Sequence, residues 1–139
     1  MAVIIVNTDE EIMSAFSLIK QLRPHLKEET YLCKIRHLQM NFGYKLVVVS
    51  ESGVVKAAGY KFCDSLAWGR YLYVDDLITD HASRSNGFAK QIFDWLEEEA
   101  MANQCVGIHL DSGVQRHDAH RFYLNRKLRI SCHHFEKAY

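Results

Sequence analysis

Apolar residues along this chain fall into two alternating periods. Ala2-Val3-Ile4-Ile5-Val6 is an unbroken run that predicts a strand buried on at least one face. Thr8-Asp9-Glu10-Glu11 then has the spacing of a capping box, in which the Thr8 hydroxyl and the Glu11 carboxylate satisfy orphan N–H groups reciprocally. Ile12, Ala15, Phe16, Ile19 and Leu22 recur at helical spacing until Pro24, the only proline, ends the helix. A second helix is expected over Glu28 to Phe42, with Tyr31, Leu32, Ile35, Leu38 and Phe42 inward and Gly43 as its stop. The period then shortens. Tyr44 to Ser50, the turn Glu51-Ser52-Gly53 and Val54 to Phe62 read as an antiparallel hairpin, and Tyr71 to Thr79 as the third strand of a meander. Phe88, Ile92, Phe93, Leu96, Ala100 and Met101 mark a long amphipathic helix. Cys105 to Asp111 is a strand that pairs parallel to its predecessor because a helix lies between them, His117 to Lys127 a short helix, and Ile130 to Glu136 a closing strand. This order gives an α/β layout with a mixed sheet, and no linker or repeat divides residues 1–139, which are read as one domain.

Composition narrows the functional classes. Apolar residues make up 48% and charged residues 24%, ordinary for a packed domain. Lys plus Arg balances Asp plus Glu at 17 each, so no net charge draws the chain to nucleic acid or anionic lipid. Cys33, Cys63, Cys105 and Cys132 form no Cys-x-x-Cys pair, and the N-terminus does not read as a signal peptide; reduced core or strand cysteines in a cytoplasmic protein are expected. No apolar run approaches the roughly 20 residues needed to span a bilayer.

The most informative stretch is Arg84-Ser85-Asn86-Gly87-Phe88-Ala89-Lys90, between the third meander strand and the long helix. Gly87 removes a side chain where the helix opens, so its first N–H groups can approach a ligand. With the positive end of the helix dipole, Arg84 and Lys90 make this a seat for phosphate. Simple helix capping by Ser85 or Asn86 is the competing reading. The pattern Arg-x-x-Gly-x-Ala resembles the acyl-CoA pyrophosphate loop of the GNAT superfamily of N-acyltransferases, and Ala119-His120-Arg121-Phe122-Tyr123 resembles that family's Ala-x-x-(apolar)-Tyr segment. The resemblance covers nearly the whole chain. It implies a GNAT fold with a mixed, mostly antiparallel central sheet of about six to seven strands and about four flanking helices. It also implies an acetyl-CoA-dependent N-acetyltransferase that holds pyrophosphate on residues 84–90 and pantetheine on Leu77, Ile78 and Thr79, by direct transfer in a ternary complex. Arg116 stands where many relatives carry Asn, which leaves it free to reach a phosphate instead, and Lys127 stands where a Gly usually follows.

Acetyl transfer needs a neutral amine, a polarised carbonyl and a proton for the leaving thiolate. An alkyl ammonium has a pKa of about 10.4, so a carboxylate that takes its proton assists. Asp75 and Asp76 are adjacent and point to opposite faces of a strand unless a bulge intervenes. Family parity selects Asp75 as the base, with Tyr73 on its side, and leaves Asp76 as a structural partner of a nearby cation; a purely ion-paired role for either remains open. A backbone N–H at Ile78 or Thr79 would polarise the carbonyl, and Tyr123 would act as the acid. The histidines 117, 120, 133 and 134 with Cys132 and Asp111 match no established ligand spacing, so no metal is expected. The expected acceptor is a small-molecule or peptide amine, with homodimer formation open. The rival reading is a noncatalytic acyl-CoA sensor or interaction domain.

Overall fold

The structure, a computed structural model, describes residues 2–80 and 89–139. Thr8 caps α1 (Asp9–Ser14) through the expected reciprocal pair: its hydroxyl accepts from Glu11 N–H at 3.1 Å and the Glu11 carboxylate accepts from Thr8 N–H at 2.9 Å. The single helix expected up to Pro24 is two. Ser14 hydroxyl donates back to the Glu11 carbonyl at 2.7 Å, a local bond that competes with helix propagation, and α2 (Phe16–Leu22) restarts after Ala15. Pro24 drives Arg23 out of the helical region to φ −122° and ψ 74°. Helix α3 (Glu28–Phe42) matches its expected span and stops at Gly43, whose φ of 68° a side chain would disfavour; Tyr44 N–H closes the motif on the Leu38 carbonyl at 3.2 Å.

Strands β1 (Ala2–Ile5), β2 (Lys45–Glu51), β3 (Val54–Ser65), β4 (Gly69–Thr79) and β5 (Gly107–Leu110) form one sheet in that order, and β1 to β4 pair antiparallel. Ser52 and Gly53, at φ 52° and 80°, make the two-residue turn between β2 and β3, with both residues left-handed as strand twist demands. Strand β1 is an edge strand: Val3, Ile4 and Ile5 are each more than a third exposed, so the run expected to be buried on one face buries only the following Val6. On one side of the sheet Leu46, Ala57 and Ile78 join Ile12, Leu18, Ile19, Tyr31 and Ile35 of α1 to α3 in one core. The opposite parity, Val47, Val49, Ala58, Tyr60, Leu72 and Val74, is buried with Ile92, Phe93, Leu96 and Ala100 of α4 (Ala89–Ala102). Met101, expected inward, is 69% exposed.

The chain divides into two compact units, Met1–His109 and Leu110–Tyr139. The second carries α5 (His117–Asn125). Lys127 takes φ 71°, a left-handed turn that its side chain disfavours, at the position where the family resemblance leads one to expect glycine. No strand forms over Ile130–Glu136: a strand exists by pairing, the described residues give this segment no partner, and Ile130 and Phe135 are 73% and 91% exposed. That lost strand and the split first helix account for five strands and five helices among the described residues, where six to seven and about four were expected. Among the described residues the cysteines form no disulfide, and Cys33 and Cys132, expected in the core or in strands, are exposed, Cys33 on α3 and Cys132 outside any strand.

Candidate active site

Strand β4 carries the local irregularity on which the site is built. Gly59 of β3 pairs with Asp76 and Tyr60 with Val74, so Asp75 is an extra residue with no opposite number, a β-bulge. The bulge shifts the phase of the strand. Before it, Tyr73 pairs with Lys61 and shares that face; after it, Asp76 pairs with Gly59 and Ile78 with Ala57, on the α1–α3 face. Asp75 and Asp76, expected on opposite faces of a regular strand, therefore both present carboxylates toward the α2 side.

Each carboxylate has its own partners. Arg23, displaced from the helix by Pro24, donates through Nε to Asp76 Oδ1 at 3.0 Å and through Nη2 to the carbonyl of Asp75 at 2.9 Å, spanning the bulge. Tyr44 hydroxyl donates to the other Asp76 oxygen at 2.8 Å. With its side chain 15% exposed, Asp76 is a held group, the structural partner of a cation. Asp75 is looser: Lys61 Nζ lies 3.4 Å from Oδ1, the pair is about one-third exposed on the cation side, and the same ammonium sits 5.5 Å from the Tyr73 ring centroid. Burial pushes the Asp75 carboxyl upward, opposed by Lys61 and reinforced by Asp76, which moves it toward the range of a working base.

Two further tyrosines complete the cluster. Gly59 admits Tyr44: a Cβ there would overlap the Tyr44 ring, 2.6 Å from Cε2. Burial and then Asp76 push the Tyr44 phenol well above its ordinary value, so it stays a donor. Tyr31 is fully buried, its ring 4.9 Å from that of Phe16, and its hydroxyl has no hydrogen-bond partner among the described residues. Burial, then Asp76, push it up to about 12. Arg23, Tyr31, Tyr44 and Lys61 were not singled out from sequence. Gly59, an isolated glycine inside a strand pattern, was the available signal for a bulge or close approach.

The same phase shift decides which backbone groups of Leu77, Ile78 and Thr79 face outward. Asp80 N–H donates to the Val55 carbonyl at 3.0 Å, one step along the ladder from the Lys56–Thr79 pair. Antiparallel alternation then turns Ile78 toward Ala57 and turns the N–H and C=O of Leu77 and Thr79 to the opposite edge. Of the two N–H groups expected to polarise a carbonyl, Ile78's is spent on β3 and Thr79's is directed outward. Strand β5 is joined to β4 where Val106 N–H donates to the Arg70 carbonyl at 2.8 Å. Leu77 lies about 23 Å along the strand from that junction, whereas the 4 residues of β5 span about 13 Å.

Of the expected phosphate loop, Arg84, Ser85, Asn86, Gly87 and Phe88 lie outside the described residues. Ala89 and Lys90 are described at the start of α4, where Lys90 pairs with Asp94 at 2.9 Å on the exposed side. Under that first turn is a polar network absent from the sequence reading. Lys56, fully buried, donates to Gln91 Oε1, and Gln91 Nε2 donates to Glu51. In the second unit, Tyr123 lies on α5 with Arg116 at its N-cap; burial pushes the phenol upward and Arg116 opposes that. Asp111 lies 3.6 Å from His134, and His120 Nε2 lies 2.8 Å from the Gly113 carbonyl, so these histidines serve local contacts. Among the described residues no group of three or more His, Cys, Asp or Glu could hold a metal ion.

A five-stranded sheet with a bulged strand carrying paired carboxylates, α1–α3 on one face and α4 on the other, defines an α/β fold. A model of the acetyltransferase (GNAT) family matches residues 9–128, and the chain belongs to that family of N-acetyltransferases. It is 31% identical over 118 residues to the uncharacterized N-acetyltransferase YhdJ of Bacillus subtilis (strain 168), covering 84% of this chain and 83% of YhdJ. It superposes on a transcriptional regulator from Bacillus halodurans C-125 with a TM-score of 0.81 at 19% identity, over 99% of this chain and 100% of the other. It superposes on the aminoglycoside N-acetyltransferase AAC(6')-Iy, determined in complex with CoA, with a TM-score of 0.78 at 14% identity, over 99% and 95%. At those identities the two structures speak to the fold alone. No helix among the described residues is long and apolar enough to cross a membrane.

Proposed function

We propose that this chain, acting as a single GNAT domain in the cytoplasm, transfers the acetyl group of acetyl-CoA to a primary amine by direct attack in a ternary complex. The observation that carries the reading is the bulge at Asp75, which sets one raised, partly exposed carboxylate beside a second that is locked by Arg23 and Tyr44. Division of labour between neighbouring carboxylates is the pattern of a base next to its support. The residues fit an acyl-CoA: Leu77 and Thr79 turn N–H and C=O groups to a strand edge that an amide-bearing arm can extend, and Ala89 and Lys90 open α4 where a diphosphate would meet helix N–H groups. Bound there, acetyl-CoA would supply an activated acyl thioester.

The protein's own groups then have separable tasks. Asp75 takes the proton of the acceptor ammonium, directly or through a water. Thr79 N–H offers a donor to developing negative charge on a carbonyl oxygen. Tyr123, kept protonated by burial, holds the proton that a leaving thiolate requires. Arg116, within the charge field of Tyr123, is the candidate contact to a phosphate. The acceptor is an amine of small-molecule or peptide type, and AAC(6')-Iy is an example of a relative in fold that acts on an aminoglycoside.

Thiol release from acetyl-CoA in the presence of an amine panel tests the reading. Asp75→Asn and Tyr123→Phe should each lower kcat by about 10²-fold or more while the CoA-induced rise in Tm stays at the wild-type value. No turnover with any amine, alongside an intact CoA-induced rise, would replace the reading with the noncatalytic sensor.

A further inference from the structure

Any acceptor amine that Asp75 is to deprotonate must bring its nitrogen within reach of that carboxylate, and one amine of the chain is already there. Lys61 Nζ lies 3.4 Å from Asp75 Oδ1. It projects from β3 opposite Tyr73, on the face that the bulge turns toward α2, and its ammonium is 5.5 Å from the Tyr73 ring centroid. A carboxylate with an aromatic wall is a general recognition element for a primary ammonium. The Lys61 side chain is 32% exposed, so it is reachable and is not locked in the core. Arg23 and Tyr44 hold Asp76 and leave Asp75 with Lys61 as its cation.

We propose that Lys61 is a self-acetylation site: it occupies the acceptor position and accepts the acetyl group when no external amine displaces it. The inference rests on the acetyl-transfer reading above. Its chemistry balances without a further reagent. The Lys61 ammonium gives a proton to Asp75, and the neutral Nζ attacks the thioester carbonyl carbon. An N–C bond forms, the C–S bond breaks, and CoA leaves as a thiol after taking one proton. The product is an uncharged amide, so the ion pair with Asp75 is lost and the lysine no longer competes for the carboxylate. Acceptor amines should therefore protect Lys61 in proportion to their occupancy of the site.

The test is incubation of the folded full chain with acetyl-CoA and no amine, followed by digestion and mass spectrometry of the acetylated lysines. Lys61 should gain one acetyl group on the order of ten times faster than the exposed Lys27 and Lys137, a difference equivalent to about 1.4 kcal/mol in the barrier. Asp75→Asn should bring Lys61 down to the rate of those two. Lys61→Arg, which retains the charge opposite Asp75, should lose the fast-forming adduct, and this variant keeps the test decisive if Asp75→Asn fails to fold. Acetylation of Lys61 no faster than Lys27, in protein whose Tm rises with CoA and which turns over an external amine, overturns this inference alone. Absence of any CoA-induced rise removes the donor site and overturns both readings.

Discussion

The contact between Gly59 and Tyr44 offers a stringent perturbation of the site. Gly59→Ala introduces a Cβ that overlaps the Tyr44 hydroxyl and ring, and β3 cannot retreat because it is paired on both sides, with β2 and with β4 at the bulge. Tyr44 must therefore swing away and give up its bond to Asp76. Overpacking costs about 1–3 kcal/mol, and losing a hydrogen bond to a charged acceptor about 1.5–3 kcal/mol. The two overlap, so a total of about 3 kcal/mol is expected, or a fall in Tm of roughly 10 °C for a chain of this size. Tyr44→Phe, which removes the hydroxyl alone, should cost about 2 kcal/mol. In a Tyr44→Ala background the added methyl enters vacated space, and Gly59→Ala should then cost less than about 1 kcal/mol. Urea unfolding of the four proteins completes the cycle. A Gly59→Ala penalty that is the same in both backgrounds, or one below about 0.5 kcal/mol in the wild type, would refute the packing argument.

Two further outcomes follow from buried charge. Asp75 is pushed upward in the fold, mainly by burial, so its contribution to stability is fully present below the ordinary carboxylate value and is lost as pH rises through the shifted one. Asp75→Asn cannot ionise, so its stability relative to wild type should improve between about pH 4 and neutrality; thermal unfolding across that range that shows no such trend sinks the assignment. Lys56 is buried against Gln91, and burial lowers its pKa. Lys56→Met keeps the length without the desolvated charge and should cost about 1 kcal/mol or less, whereas Lys56→Ala leaves a cavity and should cost about 3 kcal/mol by urea unfolding. Equal losses would mean that the charge, not the packing, is what the site needs.

Much of the architecture was legible along the chain because it rests on short-range rules. The Thr8–Glu11 box, the glycine stop after Phe42, the hairpin turn at Ser52-Gly53 and the apolar stripe of α4 are each fixed by residues within a few positions of one another. The resemblance around Arg84–Lys90 and Tyr123 led to the family. Where the reading failed, the cause was a missing partner or a competing bond: Ile130–Glu136 had strand-like residues but gained no pairing partner among the described residues, and Ser14 preferred its own Glu11 carbonyl to continued helix.

By itself the sequence determined α3, the apolar stripe of α4, the meander and the candidacy of Asp75 and Asp76, since propensity, period and caps act locally. Only the tertiary structure decided that both carboxylates share one side, because a bulge is a property of two paired strands and its phase cannot be read from either alone. It likewise decided that Arg23, Tyr44 and Lys61 meet at those carboxylates, residues separated by 53, 32 and 14 positions from their partners and joined by packing that no local pattern encodes.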